Sequence, residues 1–258
     1  MVFAIDSSNT VDLRATGAPS CKLWLSTPQM LAATTGLLDT HQGWNSVSRG
    51  RSRLDALSPD AAPQQIDAAM VGWSSDLIDY LHSIPGPLPL REGIVASLLV
   101  SFVSNGHLFL YVQTVAYRGG ELSKVSSVRQ TLVDGGDVPY VNGSCRDFFR
   151  NDGPSIRADI LSPEAVEIDQ LMTVSSRPAV SSHDLLQAAS RLEELLARVS
   201  DDQGPGMPHF IGPPYQTAEY SSGSGHWITH FQDPCVSLPI DKVAGDKGDS
   251  VTTMSRPR

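Results

Sequence analysis

The serines of Ser221-Ser222-Gly223-Ser224-Gly225 are followed closely by His226, His230, Asp233 and Cys235. A serine nucleophile with a histidine base is one chemistry these residue types could serve, and a metal site is another. A nucleophile loop needs a strand before it and a helix after it, whereas His226-Trp227-Ile228 reads as extended chain. His226 and His230 are four residues apart, a spacing that puts both imidazoles on one side of a strand or a helix. The competing reading packs Trp227, Ile228 and Phe231 and leaves the two histidines exposed or bonded to backbone. His183-Asp184 opens a helical pattern, where a polar first turn is expected, and Asp134 and Asp137 flank two glycines, as turn residues do. There is no G-x-G-x-x-G opening a helix, no G-x-x-x-x-G-K-[ST], no H-E-x-x-H and no G-x-S-x-G. No pair of carboxylates stands in an apolar setting that would divide acid from base. No catalytic, cofactor-binding or metal residue is therefore assigned, and the expectation is a protein that is not an enzyme. A hydrolase or metal-dependent enzyme using the 221–235 loop is the rival reading.

The elements that must position these residues are dominated by Ile94 to Tyr117, the longest apolar run. Asn105-Gly106 sits at its midpoint between stretches rich in Val, Leu, Phe and Tyr, which predicts a β-hairpin with a type I′ turn. Leu98 to Val100 and Leu108 to Val112 run without alternation, as in strands buried on both faces. Ser97, Ser101, Ser104, Asn105, Gly106 and His107 interrupt the run, so it predicts two strands and no membrane span.

Charged residues make up 18% of the 258 residues, with Gly 21 and Pro 18, a composition of short strands and many turns. A formal net charge of −9 argues against nucleic-acid phosphate as the main partner. The three cysteines, Cys21, Cys145 and Cys235, have no metal or disulfide spacing and read as reduced thiols in a cytosolic setting. The N-terminus lacks the pattern of a signal peptide, and Asn142-Gly143-Ser144 reads as a turn.

The fold class expected is mainly β, a barrel or sandwich, with two or three helices. Residues 1–68 read as an N-terminal arm and loops, with a short strand at Lys22–Ser26 and one short helix after it. Arg49, Arg51 and Arg53 read as a solvated basic face, with contact to an acidic partner as the alternative. Residues 69–150 read as a helix plus β core: a helix from Ala69 to Ile84 capped by Ser74 or Ser75 and ended by Pro85-Gly86-Pro87, then the hairpin, then strands at Leu122–Val133 and Val138–Phe149. Residues 151–240 read as a helix from Ser182 to Val199, capped by Ser182, with an aromatic, Gly- and Pro-rich region packed on the core. Residues 241–258 read as a polar tail.

One order of elements resembles a known family. A short helix at Trp73–Tyr80 is followed by a proline-rich link, LLVSFVSNGHLFLYV at Leu98–Val112, a turn near Gly119 and VPYVNGSCRDFF at Val138–Phe149. Over about residues 73–150 this is similar to the C-terminal part of the protruding domain of calicivirus capsid proteins. The resemblance implies a compact β-barrel and a non-enzymatic viral structural protein projecting from a capsid. It implies a place on the virion surface after synthesis in the host cytoplasm, partners in the capsid shell protein and copies of itself, and a host receptor as a further partner. No shell domain is matched, and the segment lies mid-chain with the 182–199 helix after it. The family's receptor-contacting residues lie outside the matched segment, so none is carried over. A third reading is a cellular adaptor that offers helix 182–199 to a partner; Gly212-Pro213-Pro214-Tyr215 falls short of a P-x-x-P ligand.

Overall fold

A computed structural model of the protein describes residues 2–5, 8–11, 14–86, 90, 92–132, 167, 170–171, 181–201, 215–221 and 224–230. In chain order these form β1 (Val2–Ile5), β2 (Ser8–Val11), β3 (Arg14–Pro19), β4 (Leu23–Thr27) and β5 (Met30–Gly36). Helices α1 (Ser46–Leu54) and α2 (Pro63–Ser83) follow, then β6 (Gly93–Ser104), β7 (His107–Arg118) and β8 (Glu121–Leu132). After these come α3 (Ser182–Asp201), β9 (Gln216–Ser221) and β10 (His226–His230).

Asn105 and Gly106 both take positive φ, 51° and 74°, as a type I′ turn requires, and Ser104 faces His107 across it. The expected hairpin is therefore β6–β7. It forms the middle of a five-stranded antiparallel sheet in the order β4-β5-β6-β7-β8. Gly119 and Gly120, also at positive φ, make the next tight turn, with Arg118 opposite Glu121.

Both faces of β6 are covered, which accounts for its unbroken apolar run, whereas in β7 Leu108, Leu110 and Val112 are buried and Phe109 and Tyr111 between them are half-buried, so the Leu108–Val112 run alternates in burial. On one face Trp24, Ala32, Leu98, Val100 and Val115 pack with Leu54 of α1 and Ile66, Met70, Trp73, Leu77 and Leu81 of α2. On the other, Leu31, Leu99, Leu110 and Val112 pack with Ala218 of β9 and Trp227 of β10. Strands β9 and β10 belong to a second sheet in the order β1-β9-β10, and β2 pairs with β3 in a third. The described layers are thus helices, five-stranded sheet and three-stranded sheet.

Several expectations change. The described sheets are open: β4 and β8 are the two edges of the main sheet and do not meet, so no closed barrel forms among the described residues. Residues 1–68 are more than an arm, because β5 pairs with β6 from Met30↔Phe102 to Gly36↔Ala96. Helix α2 begins at Pro63, a good first helical residue whose missing N–H is not needed there, and Gln65 Oε1 accepts from the Ala62 N–H at 2.8 Å. Ser74 and Ser75 lie mid-helix and donate to the Val71 carbonyl, so neither is a cap. The cap of α3 is Ser181, one residue before the expected Ser182: its Oγ accepts from the Asp184 N–H at 3.1 Å. Among the described residues no helix is long and apolar enough to cross a membrane. The strand expected at Val138–Phe149, most of 150–180 and the 241–258 tail lie outside the described residues.

Candidate functional site

The loop around residue 225 is a hairpin turn. Ser221 ends β9 and pairs with His226 at the start of β10, and Gly225 turns the chain with φ 72°. A strand, β10, follows the serines where a nucleophile elbow has a helix, so the strand-turn-helix form of such a loop is not the one that forms. Along β10, Trp227 is buried while His226, Ile228 and His230 are exposed on the opposite face. On a strand, residues four apart have Cα atoms about 13 Å apart, and side chains standing side by side on one face do not close that gap to the roughly 4 Å between two nitrogens on one metal ion. The expectation that this spacing suits a metal therefore holds for a helix and is corrected for the strand that forms. His226 Nδ1 lies 3.0 Å from the Ser224 carbonyl oxygen, and His230 Nε2 lies 3.5 Å from Glu219 Oε1. Among the described residues no three His, Cys, Asp or Glu side chains gather as a metal site. Asp233, Cys235, Asp134 and Asp137 lie outside the described residues.

His183 and Asp184 serve the start of α3. Asp184 Oδ2 accepts from the Ser181 Oγ at 2.7 Å and from the Ser181 N–H at 3.1 Å. These two bonds hold its carboxyl below the usual carboxylate range. Further along the helix, Arg191 bonds Glu167 at 2.7 Å and Glu194 at 2.8 Å, which pushes its guanidinium pKa upward. Leu195 is fully buried and α3 packs on β1 and β9, so part of the stripe offered to a partner in the adaptor reading is already covered.

The basic trio is engaged within the chain. The Arg49 guanidinium lies 5.7 Å from the Trp44 ring centroid and that of Arg51 lies 5.9 Å from the Trp24 ring, while Arg53 clasps Asp76 at 2.7 Å. These contacts seal α1 over the tryptophans of the core. Cys21 is disulfide-bonded, which corrects the reading of three reduced thiols; Cys145 and Cys235 lie outside the described residues.

Among the described residues, the β8 side of the main sheet is its exposed side. Glu121 and residues 123–128 are exposed, and Val125 and Val128, at 47% and 51%, are the most exposed of the large hydrophobic side chains described. The strand is held rigidly from within. Lys124 Nζ donates to Ser75 Oγ at 3.0 Å, Ser126 Oγ donates to Gln113 Oε1, and Gln113 Nε2 donates to Ser74 Oγ at 3.1 Å. Ser74 and Ser75 thus tie helix to sheet. No sequence signal marks that task; it follows from where α2 crosses β7 and β8.

The opposite edge differs. Strand β4 has five residues and a register shift between Leu25 and Thr27, and Pro28 follows it. Its flank is covered by Gln216, whose Oε1 accepts from the Leu23 N–H at 3.0 Å, and by the Trp227 N–H, which donates to the Pro28 carbonyl at 2.9 Å. Strand β8 has twelve residues and pairs with β7 from His107↔Leu132 to Arg118↔Glu121 in unbroken register. Among the described residues nothing pairs with its outer side.

No protein-family model matches the chain, and no curated protein matches it.

Proposed function

We propose that the chain is a non-enzymatic viral structural protein, a sandwich-like β body that projects from a capsid and contacts the shell and neighbouring copies. The observation that carries this reading is the packing of the segment that resembles the calicivirus protruding domain. The helix that holds Trp73, the Asn-Gly hairpin and the glycine turn pack together with β8, while the Val138–Phe149 part of the resemblance lies outside the described residues. Trp73 is the aromatic anchor between helix and sheet, with its Nε1 donating to the Ser46 carbonyl at 3.3 Å. The disulfide at Cys21 adds support, since such bonds persist at virion surfaces and in other oxidising settings. Work of this kind rests on buried area and shape, and weak single contacts gain by repetition around a symmetry axis.

The test is reconstruction of particles assembled with the cognate shell protein, alongside sedimentation of the isolated chain. Density for the chain outside the shell is the expected result. A chain that stays monomeric and is missing from purified particles removes the reading.

A further inference from the structure

The two edges of the main sheet are treated in opposite ways, and the difference points to a partner. An open edge invites pairing, and proteins that avoid it use short strands, bulges, proline or an outward lysine. Strand β4 is short, has a register shift and is followed at once by Pro28, while β8 has twelve residues, no proline and no register break. The one lysine of β8, Lys124, donates to Ser75 on the helix side and so does not guard the edge.

We propose that β8 is a self-association edge: two copies of this chain pair β8 against β8 antiparallel, joining their main sheets into one of ten strands. This deepens the self-contact part of the function proposed above and does not depend on a particle. A second copy is the occupant because the strand complements itself. Antiparallel pairing of identical edges places a two-fold axis normal to the sheet, so residues directly opposite lie on the same face and one residue sits on the axis. With Val125 on the axis, Glu121 stands opposite position 129 of the second copy, which is Arg, and the reciprocal pair repeats the match. Leu122 then faces Val128 on the side of α2, Ser123 faces Ser127, and Lys124 faces Ser126. Neighbouring registers lack this match. Lys124 on the axis would oppose its own copy, Ser126 on the axis would set Lys124 against Val128, and Ser127 on the axis would set Val125 against Arg129. The chosen register also covers the two most exposed valines, each on its own face of the strand.

The test is sedimentation equilibrium of the full chain over a concentration series, with charge-reversed variants at the predicted pair. The parent is expected to dimerise. Glu121→Arg or Arg129→Glu alone sets like charges opposite each other twice and should weaken the dimer on the order of tenfold. The double variant should recover the parent's affinity, and an equimolar mixture of the two single variants should form heterodimers, because each supplies the charge the other lacks. A monomeric parent overturns the proposal. So do single variants that dimerise like the parent, or a double variant that stays as weak as the singles. A dimer that is absent from purified particles overturns the projection reading alone.

Discussion

Trp73 is fully buried where α2 crosses the sheet, with its ring 6.4 Å from that of Trp44. Replacing it with alanine removes a large buried ring and leaves a hole that a helix tied to both α1 and β7 cannot close. Trp73→Ala is expected to lower unfolding free energy by about 3–5 kcal/mol, measured by denaturant titration. Asp184 makes a different kind of prediction. Its carboxyl is held below the usual range in the folded state, chiefly by the Ser181 hydroxyl and then by the Ser181 N–H. A depressed folded pKa contributes stability above the unfolded value, near 4, that is lost as pH falls through the folded one. The helix should therefore loosen on acidification below about pH 4, and Asp184→Asn should flatten that part of the profile when helicity is followed by circular dichroism. The single-residue signals in the sequence were unevenly informative. Asn105 and Gly106 announce their own backbone angles. Arg49 and Arg53 are exposed, as a solvated face expects, and Arg51 is half-buried; what the sequence does not show is the tryptophans and the aspartate that the fold brings beside them.

At the scale of elements, two glycines separate turn chemistry from packing. Gly106 has φ 74° and open space around the place a Cβ would occupy, so Gly106→Ala should cost only the backbone preference, about 1–2 kcal/mol. Gly36 also has positive φ, 83°, but a Cβ there would collide with the Val95 carbonyl oxygen and lie 2.8 Å from the Ala96 Cα. Gly36→Ala should cost more, on the order of 3 kcal/mol or beyond, because β5 and β6 must part to admit it. Paired thermal melts of the two variants check the order. The hairpin was legible because its turn residues and its apolar arms agree. Strand β5 was not: Met-Leu-Ala-Ala-Thr-Thr-Gly has no alternation and little β-branched bulk, since burial on both faces selects small side chains there. The true start of α2 was legible in principle. Pro63 at the first helical position and buried Ile66, Met70, Trp73, Leu77 and Leu81 keep helical spacing throughout, but the Ala62-Pro63 pair read as loop.

For the whole molecule, the disulfide is the most direct check on its setting. Cys21 is bonded, and the chain holds three cysteines. Thiol titration of the denatured, unreduced protein should find one reactive thiol per chain, and non-reducing peptide mapping should join Cys21 to Cys145 or Cys235. Three free thiols would remove both the bond and its support for a virion-surface setting. Cysteine spacing could not foresee the bond, because residues this far apart in the chain are brought together only by tertiary folding.

Local chain chemistry was enough to decide the β-rich class, the fold-back at Asn105-Gly106, the turn at Gly119-Gly120 and the helix after Ser181, because each rests on neighbours within a few residues. Which sheet edge is covered and which is unpaired among the described residues, which serines cap and which bridge, and how far apart two histidines stand were decided by the packed structure. Those properties depend on the distance between segments remote in sequence, and the apolar pattern that drives collapse does not encode it.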